Sequence, residues 1–501
     1  MSLLGLDMGT SACKATIYDE TGKILAVSCR EYSSYAPAPG WMEMDPNTFW
    51  NSAVEVIREA AQKANVPVKA LAISSQGETF IPVDGVGVEI HPAIMNTDSR
   101  ASLQVKRFEE TIGKKKAYGI TGCVLHPMYS LLKIMWLKEY QPDIYDKTGK
   151  FLSVGDYILM KLGGTPYTDY SLACRTMAFD VMNHKWSDDL LDIAGVASAK
   201  LPEPVPAGTV AGKMSASMAS MLGLSEGVIM AVGGHDQPCG ALGAGIIEEG
   251  EVADSTGSYE CLIASGSKAY LDDAALSYSI NSYCHVIDNK YVTLAFFPAG
   301  LVLRWFRDQF GQPEVDEAAR TGVDAYDLLT KRMPDGPSGI CFTPHFIGTG
   351  NPYWNPDATG AVLGLTPDSS RYHLFKAIME GIACEVGINI EVLESMVGEI
   401  KAVRTMGGGS KSDFWMQLRA DITSKPVVRM RNSEAVSLGA ALLAGTASGV
   451  YSSINEAVES SVNNAWIFEP DQVVRKQYES QIERYRKFYP VLDNGGLFGN
   501  G

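Results

Sequence analysis

The chain has 501 residues, a formal net charge of −16, 46% hydrophobic residues and 20% charged residues. This composition is typical of a soluble globular enzyme of about two to four domains. The acidic balance, with no basic stripe, argues against a nucleic-acid binder. No segment approaches the roughly 18 consecutive apolar residues that a membrane span needs, and residues 1–7 lack the basic region of a signal peptide.

The nine cysteines are odd in number, widely scattered and without a C-x-x-C pair. That usage predicts reduced thiols in a cytoplasmic protein, because secreted domains pair their cysteines in disulfide frameworks. It also leaves no pattern for a zinc cluster.

The N-terminal segment predicts three strands over residues 3–7, 12–18 and 24–28, with turns between them. Neither a Walker A string nor a G-x-G-x-x-G string is present. The first turn contains Gly9, Thr10 and Ser11, whose N–H and hydroxyl groups can form an anion nest. An ordinary hairpin turn is the alternative interpretation.

Further along, Asp45 and Pro46 predict a helix N-cap followed by proline at the first helical position. A helix over residues 50–64 comes next, then a strand over residues 71–75. The Gln76 and Glu78 side chains follow that strand and suit hydrogen bonds to hydroxyl groups, although a solvated turn is the alternative. Residues 127–140 predict another helix.

An apolar strand over residues 228–232 leads into the polar cluster that contains Asp236. Ligand-binding residues gather at such strand ends in α/β folds, so Asp236 is a candidate base. The alternative is that Asp236 caps a helix over residues 240–247. We expect His235 to be structural, because neighbours on an extended chain point to opposite sides.

A second acid-hydroxyl-glycine hairpin occupies residues 251–258 and precedes the apolar run 261–264. Two such hairpins in two similar halves would clamp a polyphosphate from both sides. Downstream, the pattern predicts helices over residues 372–397, 413–423 and 434–447. A strand over residues 401–406 enters the glycine run 407–409, which favours close approach of a ligand at a helix N-terminus; a tight turn is the alternative.

With these motifs in place, the sequence resembles the FGGY family of carbohydrate kinases over nearly its whole length. The most specific string is G-A-V-L-G-L at residues 360–365, followed by His373-Leu374 and by A-I-M-E at residues 377–380. The family's other signature is similar to M-Y-S at residues 128–130 with Lys133, Ile134, Trp136 and Leu137. The strings G-W-M-E-M-D-P at residues 40–46 and residues 434–444 also match.

The resemblance implies an α/β protein with two actin-like, ribonuclease H-like domains and an ATP and sugar cleft between them. The N-terminal domain would span residues 1–248 and the C-terminal domain residues 249–501. It also implies a kinase that uses ATP and Mg²⁺ to phosphorylate a sugar or polyol, with no nucleic-acid or membrane partner. A homodimer remains open as the assembly.

The resemblance assigns site residues by position. Asp7 matches the magnesium-holding aspartate, Asp236 the catalytic base, and Gln76, Glu78, Asp236 and Gln237 the sugar contacts. The nucleotide-binding positions are Gly9, Thr10, Ser11, Lys14, Thr256, Gly257, Ser258, Gly300, Gly408 and Ser412.

Several departures from the family concern the substrate. Glycerol kinases carry an Arg-Glu pair where this chain has Gly77-Glu78, and a tyrosine in place of Met128. The Met-His pair of xylulokinases and gluconokinases is also missing, and Arg304 replaces a glutamine that contacts the nucleotide in glycerol kinases. The leading expectation is a xylulose-like pentulose; gluconate, glycerol and other polyols remain open, as does a catalytically silent sensor. A non-kinase actin-like protein is a further alternative.

Overall fold

The computed structural model describes residues 1–498. The strands of the first half are β1 (Ser2–Met8), β2 (Ala12–Asp19), β3 (Ile24–Glu31), β4 (Glu43–Met44), β5 (Val68–Ser75), β6 (Phe80–Val83), β7 (Ala93–Ile94), β8 (Lys150–Ser153), β9 (Thr168–Asp169), β10 (Phe179–Asp180), β11 (Lys185–Trp186), β12 (Pro204–Val205), β13 (Val210–Lys213) and β14 (Ile229–His235). Its helices are α1 (Pro46–Ala64), α2 (Ser102–Ile112), α3 (Lys114–Thr121), α4 (Ser130–Tyr140), α5 (Pro142–Lys147), α6 (Val154–Lys161), α7 (Tyr170–Cys174), α8 (Asp188–Ala194), α9 (Ala216–Leu222) and α10 (Asp236–Gly243).

The strands of the second half are β15 (Glu251–Thr256), β16 (Tyr259–Gly266), β17 (Asn281–Cys284), β18 (Tyr291–Pro298), β19 (Cys341–Thr343), β20 (Ala361–Leu363), β21 (Ala402–Gly407), β22 (Val427–Met430) and β23 (Asn464–Phe468). Its helices are α11 (Asp273–Ser277), α12 (Gly300–Phe310), α13 (Gln312–Thr321), α14 (Ala325–Lys331), α15 (Arg371–Val397), α16 (Asp413–Thr423), α17 (Ala435–Ala447), α18 (Ile454–Ser461) and α19 (Gln472–Asn494).

The two halves repeat one sheet topology. The first sheet has the order β13-β14-β5-β1-β2-β3, and the second has the order β17-β18-β16-β15-β21-β22-β23. Each sheet contains three neighbouring antiparallel strands, β1-β2-β3 in the first and β15-β16-β18 in the second. The first strand of each set also pairs in parallel with a later strand, β1 with β5 and β15 with β21. The side chains of the central strand β1 are buried, as expected for a strand covered on both faces. This is the predicted two-domain, ribonuclease H-like α/β architecture.

Helix α17 belongs to the second half in sequence but packs on the first sheet. A methyl group added at Gly5 on β1 would lie 1.8 Å from the Ser437 carbonyl oxygen, so the helix backbone lies directly against the strand. The same helix meets α10 closely, because a methyl group added at Gly439 would lie 1.9 Å from the Cys239 carbonyl oxygen. The helix pair α10–α17 therefore joins the two halves.

Most predicted elements are confirmed, with shifted boundaries. Helix α1 begins at Pro46, and the Asp45 side chain caps it by accepting a hydrogen bond from Asn47, as predicted. Helix α4 begins at Ser130, three residues later than predicted, because Tyr129 is extended. The helix expected over residues 240–247 instead spans Asp236–Gly243. No helix within residues 1–498 is long and apolar enough to cross a membrane.

Candidate active site

The polar residues predicted for the site follow three neighbouring parallel strands. Asp7 on β1 pairs in register with Ser74 on β5, and Ser74 pairs with Gly234 on β14. Because the carboxyl ends of parallel strands meet at one edge of a sheet, Asp7, Glu78 and Asp236 all lie at this edge. The structure thus brings together residues that are far apart in the sequence.

Asp7 is a carboxyl group in a desolvated position. Burial raises its pKa from 3.8 to about 7; the nearby Lys14 ammonium lowers that pKa, and Glu434 raises it. The buried Oδ1 atom has no hydrogen-bond partner within residues 1–498. A buried carboxylate oxygen without a partner is costly, so it suits a cation or a donor from a ligand.

The first hairpin is held by side chains from the neighbouring loops. Gln76 donates from Nε2 to the Gly9 carbonyl at 3.2 Å and accepts from Thr10 Oγ1 at 3.2 Å. Asn96 donates to the same Thr10 hydroxyl at 3.0 Å. Ser11 is exposed at the tip of the turn. The Gln76 amide, predicted to contact sugar, is therefore already engaged by the hairpin.

Asp236 is the first residue of α10, and the helix N-cap is His235. The alternative that Asp236 caps this helix is therefore wrong. Burial, together with the charges of Asp7 and Glu78, raises the pKa of Asp236 from 3.8 to about 8. Its buried Oδ1 atom forms no hydrogen bond within the described chain, and neither does Oε1 of the adjacent Gln237.

The expectation that His235 points away from Asp236 is also wrong. The strand-to-helix transition turns the two side chains toward each other, and Nε2 of His235 lies 3.1 Å from Oδ1 of Asp236, although the two atoms form no hydrogen bond. The Nδ1 atom of His235 lies 3.0 Å from the Tyr283 hydroxyl on β17. Burial holds the pKa of His235 well below its usual value, so the imidazole is neutral. A second-half side chain thus reaches the neighbour of the candidate base.

Glu78 is held in a left-handed backbone conformation, with φ of 59°. Its carbonyl oxygen accepts hydrogen bonds from Ser130 Oγ at 2.8 Å and from Lys133 Nζ at 3.0 Å. Its carboxylate accepts a hydrogen bond from Nε of Arg175 at 2.6 Å. The sequence did not reveal Arg175 or Tyr283, because neither lies in a local motif; only the missing partner for Glu78 could have prompted a search.

In the second half, four predicted nucleotide residues converge. Thr256 Oγ1 donates to the Met406 carbonyl at 2.8 Å and accepts from the Gly409 N–H at 3.0 Å. The Gly300 N–H donates to the Gly257 carbonyl at 3.1 Å. The second hairpin therefore touches both the start of α12 and the glycine run that contains Gly408. Ser412 is the N-cap of α16 and accepts from the Trp415 N–H.

Buried ion pairs fix the strands on either side of the second hairpin. Arg419 on α16 pairs with Asp254 on β15 at 2.5 Å and with Glu260 on β16. All three side chains are buried. Breaking a buried pair by removing one partner leaves an uncompensated charge, so these contacts hold the hairpin strands to α16. Arg304 lies beside the second hairpin, where its Nη2 atom donates to Ser258 Oγ at 3.5 Å.

The comparisons with known proteins agree with this geometry. Residues 2–243 match the N-terminal domain and residues 256–448 the C-terminal domain of the FGGY family of carbohydrate kinases. The chain is 28% identical to a xylulose kinase of Bacillus subtilis, with 97% of this chain and 96% of the relative covered. It is 27% identical to a gluconokinase of Bacillus subtilis, covering 98% and 96%.

It is also 31% identical to a glycerol kinase of Thermococcus gammatolerans, with 97% of each chain covered. Among solved structures, a xyloylose kinase from Brucella ovis superposes with a TM-score of 0.87 at 25% identity, covering 99% of this chain and 100% of that one. Both domain matches together span most of the sequence. The chain belongs to the FGGY family of carbohydrate kinases and is an ATP-dependent sugar kinase.

Proposed function

We propose that this kinase transfers the γ-phosphate of ATP to a terminal hydroxyl of a ketose, with a xylulose-like pentulose as the leading substrate. Proteins named xylulose kinase are among its most similar relatives. Relatives named gluconokinase and glycerol kinase are nearly as similar, so the support for the pentulose is overall likeness.

The observation that carries the proposal is a group of buried polar atoms without partners at one edge of the first sheet. Within residues 1–498 these atoms are Asp7 Oδ1, Ser74 Oγ, Asp236 Oδ1 and Gln237 Oε1. Buried polar groups in folded proteins are nearly always hydrogen-bonded. Several unpartnered acceptors at one edge fit a site that is completed by the hydroxyl groups of a substrate and by a metal.

Asp236 is the base in this proposal. One of its carboxylate oxygens takes the proton of the acceptor hydroxyl. The hydroxyl oxygen of the acceptor forms a bond to the γ-phosphorus at the same time. The bond from phosphorus to the bridging oxygen breaks, and that oxygen leaves with ADP. A pKa of about 8 lies close to the working pH, where a general base is most effective.

The same edge fits the magnesium that the family implies. Asp7 supplies an oxygen ligand without a partner, and hard carboxylate oxygens are what Mg²⁺ prefers. When bound, Mg²⁺ neutralises charge on the phosphates. Asp7 would hold it, while the backbone N–H groups and hydroxyls of both hairpins orient the phosphates.

The second half supplies the ATP site. Thr256, Gly257 and Ser258 form the second phosphate hairpin, and Gly300 approaches it so closely that an added methyl group would lie 2.2 Å from the Gly257 carbonyl oxygen. A methyl group at Gly408 would meet no atom within 4 Å, which leaves room there for adenosine. Closure of the two halves would exclude water and prevent ATP hydrolysis.

The test is an ADP-release assay with Mg·ATP and a panel of ketoses, sugar acids and polyols, each beside a blank without acceptor. We expect one acceptor to give turnover far above the blank. Rates at the blank level with every acceptor, while ATP still binds, would favour a catalytically silent sensor. ATP hydrolysis that no acceptor changes would favour a non-kinase actin-like protein.

A further inference from the structure

Gly77 leaves a space that is occupied by an arginine from another part of the chain. A methyl group added at Gly77 would lie 2.9 Å from Cγ and 3.1 Å from Cβ of Arg175, and 3.1 Å from Cδ2 of His235. Arg175 directly follows α7, so it reaches the loop after β5 from a separate element. Any larger residue at position 77 would displace the Arg175 side chain, and the absence of a side chain there is what lets Arg175 approach Glu78.

Each nitrogen of the Arg175 guanidinium group has a partner within the described residues. Its Nε and Nη2 atoms lie 2.6 Å and 2.5 Å from Oε1 of Glu78, and Nη1 donates to the Cys123 sulfur at 3.6 Å. The central carbon of the group, Cζ, also lies over the rings of Tyr129 and Tyr283, at 5.1 Å and 5.0 Å from the ring centroids. Because Arg175 is only 7% exposed, it presents no free face to a ligand.

The engagement leaves Glu78 with one carboxylate oxygen for a ligand. Both close contacts with Arg175 use Oε1, and no hydrogen bond within residues 1–498 uses Oε2. Two nitrogen atoms of Arg175 hold the single oxygen Oε1 of Glu78, while Ser130 and Lys133 hold the backbone carbonyl of Glu78. Oε2 is therefore an oriented acceptor, ready for a hydroxyl group that donates a hydrogen bond.

The other cations near this edge are also paired. Lys14 contacts Glu434 at 2.5 Å, and Lys133 donates to the carbonyl oxygens of Glu78 and Met95. Of the four buried atoms at this edge without a hydrogen-bond partner in the described residues, three are acceptor oxygens of Asp7, Asp236 and Gln237, and the fourth is the Ser74 hydroxyl. A carboxylate on a substrate would face acceptor oxygens and cations that are already paired, and a buried charge without its own partner is costly.

We propose that the acceptor of this kinase is a neutral polyhydroxy compound, a ketose or polyol and not a sugar acid, and that Arg175 is the positioning residue that orients Glu78 for it. This inference rests on the proposed function; it excludes the sugar acids that relatives named gluconokinase leave open. It assigns Arg175 no contact with the substrate. Its effect is to hold the Glu78 carboxylate in one orientation and to compensate its charge.

The first experiment compares acceptors that differ in charge. Glucitol and gluconate are a matched pair, because they differ at one terminus as CH₂OH and COO⁻, and D-xylulose is added as the leading neutral acceptor. We expect the best neutral compound to exceed gluconate in kcat/KM by about 100-fold. A higher kcat/KM for gluconate would overturn the inference.

A binding readout separates this inference from the proposed function. The Tm of the protein is measured with each compound in the presence of Mg·ADP. If no acceptor is phosphorylated, the proposed function fails, but a rise in Tm with neutral compounds and none with gluconate still supports the neutral site. A rise with gluconate alone, or with none of the three compounds, overturns it.

The second experiment tests Arg175 itself. Arg175→Lys keeps the positive charge but cannot make the two-nitrogen contact. We expect it to raise the KM of the acceptor about tenfold while the KM of Mg·ATP changes less than about twofold. In a Glu78→Gln background the same substitution should have no further effect, because Arg175 acts through Glu78.

Equal changes in both KM values, or an unchanged effect of Arg175→Lys in the Glu78→Gln background, would overturn the role of Arg175. Gly77→Ala is the second variant, for use if Arg175→Lys does not fold. It leaves Arg175 in the chain, and its methyl group presses on Cγ and Cβ of Arg175 and on Cδ2 of His235. It should reproduce the selective rise in the KM of the acceptor, and a change in the KM of Mg·ATP alone would contradict the inference.

Discussion

Lys14 and Glu434 form an ion pair of 2.5 Å although they lie 420 positions apart in the chain. Lys14 lies on β2 after the first hairpin, and Glu434 is the N-cap residue of α17. The ion pair therefore connects the first hairpin to α17, the helix of the second half that packs on the first sheet.

We expect Lys14→Met to weaken Mg·ATP binding by about tenfold or more, because a loss of one charge-assisted contact costs roughly 1.5–3 kcal/mol. The KM of the acceptor should change little. Glu434→Gln is the matched control, since it removes the tether but keeps the Lys14 ammonium. Titration calorimetry measures the affinity of each variant for Mg·ATP. An equal loss of affinity in both variants would show that the ion pair with Glu434 matters and not the charge of Lys14.

Asp236→Asn tests the base. The amide is nearly isosteric but cannot take a proton, so turnover should fall by about 10²–10⁴-fold. Binding of Mg·ATP and of the acceptor, followed by Tm shifts, should be retained. Turnover that stays within a few-fold of the wild type would remove Asp236 from this role.

The same variant should change the pH dependence of stability. The pKa of Asp236 is raised from 3.8 to about 8, so the folded state disfavours its ionised form. Below the unfolded value the carboxyl group is protonated in both states, and the cost appears as the pH rises through the window between the two values. In the protein without ligands, Asp236→Asn should therefore stabilise increasingly between about pH 4 and about pH 8.

Thermal melts of wild type and variant across that window measure this effect. A difference in Tm that stays constant with pH, or that shrinks as the pH rises, would contradict the raised pKa. The Tm difference does not depend on catalysis. It therefore tests the desolvation of Asp236 separately from its role in the reaction.

The contact between α10 and α17 predicts a reversal of a common substitution effect. In a helix interior, alanine is about 1 kcal/mol better than glycine. Gly439→Ala should instead destabilise by about 1–3 kcal/mol through overpacking, because its methyl group would meet the Cys239 carbonyl oxygen at 1.9 Å. Gly387→Ala on α15 is the control, because the nearest atom there is 3.9 Å away.

Urea unfolding of both variants provides the measurement. We expect the midpoint to fall for Gly439→Ala and to hold or rise for Gly387→Ala. A stabilised Gly439→Ala variant would mean that the helix pair separates more easily than the structure indicates.

Local patterns were sufficient to predict the hairpin strands β1 and β2 and the capped start of α1. These features depend on short-range periodicity, capping and turn chemistry. The two-domain fold was predicted from the resemblance to the family. The family strings added the sites at Asp7 and Asp236, which the sheet register then brought to one edge.

Features that depend on contacts between distant segments could not be predicted. The approach of Arg175 to Glu78 depends on the missing side chain at Gly77, and this is a matter of volume and not of pattern. The prediction that His235 points away from Asp236 was wrong for a related reason. Alternation along an extended strand holds only while the strand continues, and the helix begins at the next residue.

The position of α17 on the first sheet has a consequence for synthesis of the chain. The helix covers an apolar surface that includes Leu3, Ala70 and Ala72. A ribosome makes those residues first, yet their cover, residues 435–447, emerges only after most of the chain has been translated. The first sheet must remain incomplete through that interval, with exposed apolar surface that favours aggregation. The two halves of this kinase therefore mature together, and a fragment ending after α10 would lack the helix that closes its own core.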